Sequence, residues 1–152
     1  MSLYREYLQA LANPGSPVLF LDLEKFEKNI SWVKENASGK SIRIATKSIR
    51  SRDVLKRILD ADEVFQGLMT FDLREALWLK KEGFQDILMG YPSVDHLAIE
   101  DLARAPEGIT LMVDREEHLL MLEEIAAKSG NVLSLCVDVD LSMDLPGLRF
   151  GV

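Results

Sequence analysis

Arg43-Ile44-Ala45-Thr46-Lys47-Ser48 is the stretch from which the fold is read. Across residues 41–47 the side chains alternate. Ile42, Ile44 and Thr46 fall on one face and Ser41, Arg43, Ala45 and Lys47 on the other, which is the period-two signature of a strand. The first face is branched and suits packing under helices. The second is small and basic, and it ends in a lysine where the strand stops. Side chains at the carboxyl ends of parallel strands line the ligand site of α/β proteins. An amine kept partly unprotonated there can form a Schiff base with a carbonyl. Taken alone the position is a weak signal, because most lysines at strand ends are simply solvated.

Outward from this strand one pattern repeats. Residues 2–12 suit a short amphipathic helix, ended by Asn13-Pro14-Gly15-Ser16-Pro17. Residues 18–21 read as an apolar strand, Asp22 as an N-cap, and residues 23–36 as a helix with Phe26, Ile30 and Val33 inward. Further on, helices over 51–59, 72–82, 93–103 and 115–129 alternate with strands over 64–71, 86–89, 109–113 and 132–139. Asp72 caps its helix, and Glu75 completes a capping box. Trp32 and Trp78 lie on helix faces and are assigned to the core.

Six strands spaced by roughly 21–24 residues predict βα units and a parallel sheet. An open dinucleotide-binding sheet calls for a glycine-rich turn after its first strand, and Asp22-Leu23-Glu24-Lys25 contains no glycine. A closed barrel needs eight strands and about 250 residues. Residues 141–152 carry Asp144, Arg149 and Gly151 in a loop, with no helix to cover the preceding strand. The chain therefore reads as α/β, with about six βα units of a (β/α)8 TIM-type barrel. Residues 1–16 form a helix and lead-in, and residues 17–152 the amino-terminal part of the barrel. The remaining strands lie outside the sequence, so the strands at 18–21 and 132–139 are left as unpaired edges.

Composition narrows the class. The 152 residues are 47% hydrophobic and 28% charged, with a formal charge of −7. These values fit a soluble globular domain and argue against a nucleic-acid partner, which would favour a basic face. No segment has the roughly 18 apolar residues of a membrane span. The single cysteine, Cys136, excludes an internal disulfide, fits a reducing cytoplasm, and sits in the apolar run Val132-Leu133-Ser134-Leu135-Cys136-Val137 as core. His96 and His118 are far apart, and no group of residues has metal-ligand spacing.

Several stretches together resemble a known family. Pro17-Val18-Leu19-Phe20-Leu21-Asp22-Leu23-Glu24 with Asn29 resembles the opening strand and helix of the alanine-racemase-like (fold type III) pyridoxal-phosphate barrels. Their D-threonine aldolase and D-serine dehydratase branch is the nearest. Arg43-Ile44-Ala45-Thr46-Lys47-Ser48 resembles that branch's lysine strand. Met69-Thr70 with Glu75-Ala76 resembles the next strand and helix start, and Asp86-Ile87-Leu88-Met89-Gly90-Tyr91-Pro92 the strand and loop after that. Val137-Asp138-Val139-Asp140 and Arg149-Phe150-Gly151-Val152 resemble the sixth strand and its following Arg-x-Gly. The similarity runs in register over nearly the whole chain. It departs at Ile44 and Ala45, where the pattern has Pro and His, and at Ile49, where a second histidine is common.

The resemblance implies that Lys47 carries pyridoxal 5'-phosphate as a Schiff base and then serves proton transfer. It implies cofactor-binding roles for Arg149, Asp138, Thr70 and Tyr91, with Arg149 approaching the ring's phenolic oxygen. Arg43, lower on the face of Lys47, is a structural cation that needs an acidic partner. The implied activity is that of a lyase on D-amino acids, an aldolase or dehydratase acting on a D-β-hydroxy amino acid. Racemisation, a non-catalytic pyridoxal-phosphate barrel and a barrel without the cofactor stand as alternatives. The resemblance further implies a cytoplasmic homodimer with a small amino-acid substrate. The phosphate site, a β-rich second domain and any divalent metal would lie outside this segment.

Overall fold

Five of the six expected strands form one parallel sheet in the computed structural model, in the order β1-β2-β3-β4-β5. The structure describes residues 3–12, 15, 17–140, 143–145 and 148–150, with side chains to residue 140. The chain divides into two compact units, residues 1–36 and 37–152.

The first unit contains α1 (Leu3–Ala10) and α2 (Leu23–Asn36). Asp22 caps α2 as expected, accepting from the Lys25 amide at 3.0 Å. Its carboxyl also accepts from the Tyr7 hydroxyl and pairs with Lys25 Nζ at 3.1 Å. The Tyr7 hydrogen bond, above all, holds this carboxyl well below the usual carboxylate range. Phe26, Ile30 and Val33 do form the less exposed stripe of α2, although none of them is fully buried. Residues 18–21 correct the expectation: they form no strand and pair with none among the described residues, and Leu19 is 98% exposed. An apolar run supplies the side chains for a strand, but only a ladder neighbour makes it one.

The second unit alternates β1 (Ile42–Ala45), α3 (Arg52–Leu59), β2 (Phe65–Thr70), α4 (Leu73–Lys81), β3 (Ile87–Met89), α5 (His96–Arg104), β4 (Ile109–Val113), α6 (Glu116–Ser129) and β5 (Ser134–Val137). Register aligns Ile44 with Leu68, Leu68 with Ile87, and Ile87 with Ile109. This row, with Thr46, Thr70, Met89, Leu111 and Val113 beyond it, is buried. Leu55 and Ile58 of α3, Leu73, Ala76 and Leu79 of α4, Ala98, Ile99, Leu102 and Ala103 of α5, and Leu122 and Ile125 of α6 complete this core. The opposite row, Ala45, Met69, Leu88 and Thr110, is only half buried. Cys136, aligned with Met112 on that row, is half buried too rather than core.

Other expectations are also corrected. β1 ends at Ala45, so Lys47 lies in the following turn instead of closing the strand. Residues 141–152 are not all loop: β6 (Met143–Leu145) and β7 (Leu148–Phe150) pair antiparallel, with Asp144 opposite Arg149. α5 begins at His96 because Asp95 is its cap, accepting from the Ala98 amide at 3.1 Å. Asp72 accepts from the Glu75 amide at 3.0 Å, but the capping box is half made. Glu75 Oε2 is buried without a hydrogen-bond partner among the described residues. Trp32 and Trp78 are 65% and 49% exposed, so neither is core. On α4 the stripe Leu73, Ala76, Leu79 takes the sheet-facing side, and Trp78 falls outside it.

The amino ends of the strands are fastened by Arg43. Its guanidinium binds both Asp86 carboxylate oxygens, at 2.9 and 3.0 Å, and the Leu68 and Asp86 carbonyls at 3.2 and 2.5 Å. This is the acidic partner expected for it. Ile42 faces Phe65 while Ile44 faces Leu68, so β2 carries one residue more than β1 over this stretch. Gly67, at φ +68°, lies in that bulge, where a Cβ would come within 2.3 Å of the Asp86 carbonyl and 2.4 Å of the Arg43 guanidinium.

Candidate functional site

The site is assembled at the opposite, carboxyl ends of β1, β2 and β3. Past Ala45 the chain makes one more ladder bond, Thr46 N–H to the Met69 carbonyl at 3.0 Å. It then coils, with Ser48 N–H on the Ala45 carbonyl at 3.2 Å and Ile49 N–H on that of Thr46 at 3.1 Å. This turn lifts Lys47 and Arg50 clear of the sheet, and both are exposed. At the end of β2, Phe71 follows buried Thr70 and comes to the surface before Asp72 starts α4.

β3 is extended by Gly90, whose N–H donates to the Thr70 carbonyl at 2.9 Å. A Cβ on Gly90 would lie 2.8 Å from Met69 Cγ, so a larger residue here would displace the Met69 side chain. The next residue, Tyr91, is thereby carried across the end of β2 to the lysine. Its hydroxyl lies 3.2 Å from Lys47 Nζ, and the amine stands 5.6 Å from the ring centroid. The Arg50 guanidinium stacks on the Phe71 ring at 5.3 Å. Lys47, Arg50, Phe71 and Tyr91 line one open pocket of about 400 Å³.

Of the residues singled out from sequence, the structure brings Lys47 and Tyr91 together. Thr70 lies on the other face, fully buried, with its hydroxyl 3.6 Å from Met89 Sδ. Asp138 follows β5 at the far edge of the sheet from β1, its N–H on the Val113 carbonyl at 2.8 Å. Arg149 lies in β7, and its side chain is outside the described residues. Arg50 and Phe71 were not anticipated. The available signal was positional: both follow strands whose ends already held candidate residues.

The pocket suits an aldehyde cofactor such as pyridoxal phosphate. It offers a primary amine at the surface, two aromatic side chains, and a second cation for an anionic ligand. Among the described residues no group of His, Cys, Asp and Glu could hold a metal ion, and no helix is long and apolar enough to cross a membrane.

Comparison with known proteins places this geometry in context. The crystal structure of D-threonine aldolase from Filomicrobium marinum superposes with a TM-score of 0.74 over 85% of this chain, at 23% sequence identity. The chain spans 36% of that protein's length. At such identity the likeness establishes the fold. No curated protein matches the chain. The family model for the alanine racemase N-terminal domain matches residues 21–152. This chain therefore belongs to the alanine racemase N-terminal domain family and forms part of that family's α/β TIM barrel.

Proposed function

We propose that this chain carries the lysine of a pyridoxal-phosphate site in a cytoplasmic, homodimeric lyase that cleaves or dehydrates D-β-hydroxy amino acids. The observation that carries the reading is the Lys47 amine beside the Tyr91 hydroxyl, 3.2 Å away, in an open pocket at the carboxyl ends of parallel strands. When bound, pyridoxal phosphate supplies an electron sink for the bond that breaks at the substrate's α-carbon.

The chain's own residues do the rest. Lys47 presents the amine that takes the cofactor's aldehyde, for which it must first lose a proton. The Tyr91 hydroxyl is placed to accept that proton's hydrogen bond and to fix the direction of Nζ. As a free amine, Lys47 would be the group that moves a proton at the substrate's α-carbon. Phe71 and Tyr91 give the pocket an apolar lining against which a flat ring would rest. Arg149 is assigned to the ring's phenolic oxygen, and Asp138 to cofactor binding, by their matching positions in the family pattern. Thr70, turned into the core, is left out of the site.

Turnover tests the reading. Full-length protein with pyridoxal phosphate is expected to convert D-threonine to glycine and acetaldehyde, or D-serine to pyruvate and ammonia, and to leave the L-isomers. Lys47→Ala is expected to abolish either reaction while remaining folded. Interconversion of D- and L-alanine without cleavage would assign the site to racemisation instead.

A further inference from the structure

Charge sets this pocket apart from the rest of the chain. The protein carries −7 overall, yet two cations, Lys47 and Arg50, line one cavity. Among the described residues neither pairs with a carboxylate; their contacts are the Tyr91 hydroxyl and ring for Lys47 and the Phe71 ring for Arg50. Other arginines of the same unit do pair: Arg43 with Asp86, Arg52 with Glu82, Arg74 with Asp95 and Arg104 with Asp101. A guanidinium resting on a ring is held in orientation by a contact that uses none of its N–H donors. The donors of Arg50 therefore remain available to a ligand. Arg50 is also the permanent cation of the pocket, because Lys47 must give up its proton to act as a nucleophile.

We propose that Arg50 is the oxyanion-recognition residue of this pocket. It receives the carboxylate or phosphate of the molecule that reacts at Lys47 and so restricts the site to anionic partners. The fork of N–H groups matches both oxyanions, and a lysine in its place would act only as a point charge. The inference rests on the reading of Lys47 as the imine-forming lysine.

The test requires no turnover. Full-length apoprotein is exposed to paired aldehydes, reduced with borohydride, and the Lys47 peptide quantified by mass spectrometry. Glyoxylate against glycolaldehyde reads recognition of a carboxylate, and pyridoxal 5'-phosphate against pyridoxal reads recognition of a phosphate. The parent protein is expected to label faster with the charged member of at least one pair. Arg50→Gln is expected to lose about fivefold of that preference, as suits an exposed charge pair, and Arg50→Lys to retain part of it. Loss confined to glyoxylate assigns the substrate's carboxylate; loss confined to pyridoxal 5'-phosphate assigns the cofactor's phosphate. If Lys47 still labels and Arg50→Gln keeps both preferences, the assignment of Arg50 is overturned. If Lys47 labels with none of the four, the reading beneath the proposal fails and the proposal with it.

Discussion

Tyr91 and Lys47 show what a single contact adds to a strand-end lysine. The hydroxyl at 3.2 Å restrains an amine that would otherwise sample water freely, while the ring keeps a cation–π contact. Tyr91→Phe removes only the first of these. It is expected to slow adduct formation at Lys47 roughly two- to twelvefold, the span of a net hydrogen bond of about 0.5–1.5 kcal/mol, without unfolding the protein. The rate of absorbance change on adding pyridoxal phosphate measures this, and an unchanged rate would show the hydroxyl to be idle. That Lys47 and Tyr91 come together was legible from sequence, because both follow strands of one parallel sheet. Arg50 and Phe71 were not legible. Their stacking depends on a turn after β1 whose path no periodicity encodes.

At the scale of elements, helices were read more faithfully than strands. The α2 boundaries agree with the reading of residues 23–36, since a cap and a 3.6-residue stripe are local properties of the chain. Being a strand is a property of pairing, and residues 18–21 have strand composition without a partner among the described residues. The bulge at Gly67 is legible only after folding, because its need for glycine comes from Asp86 and Arg43. Gly67→Ala is expected to destabilise the protein by about 1–3 kcal/mol from backbone strain and crowding. Urea denaturation measures it, and an unshifted midpoint would remove the argument.

Asp95 carries a related prediction for α5. The Ala98 amide first, and then the Arg74 guanidinium, hold its carboxyl below the usual carboxylate range. A carboxyl depressed on folding stabilises the fold above its unfolded pKa and loses that contribution as pH falls through the folded value. Asp95→Ala is therefore expected to lower the melting temperature at pH 7. The difference from the parent should shrink as the pH is taken below about 4, the ordinary carboxylate range. A difference independent of pH would assign the effect to something other than the charge.

At the scale of the molecule, the alternation of helix and strand and the missing glycine-rich turn were sufficient to choose a barrel over a dinucleotide-binding sheet. The half-buried row Ala45, Met69, Leu88 and Thr110 agrees with that choice, because the interior of such a barrel is filled by side chains from all around the ring. β5 leaves Val137 69% exposed, at a sheet edge that hydrogen-bonds to no further described strand. Such edges recruit other chains. A polypeptide of residues 1–152 expressed by itself is thus expected to associate, as read by its mass in solution. A monomer with one cooperative unfolding transition would contradict this.

The central claim is that Lys47 is the residue to which the cofactor's aldehyde bonds. Its most direct test is to add pyridoxal phosphate to the full-length protein, reduce with borohydride, digest, and locate the modified lysine by mass spectrometry. One site, Lys47, is expected to carry the reduced adduct. Lys47→Ala is expected to lose both the adduct and the visible absorbance. An adduct spread over the other exposed lysines, or one that persists in Lys47→Ala, would contradict the claim.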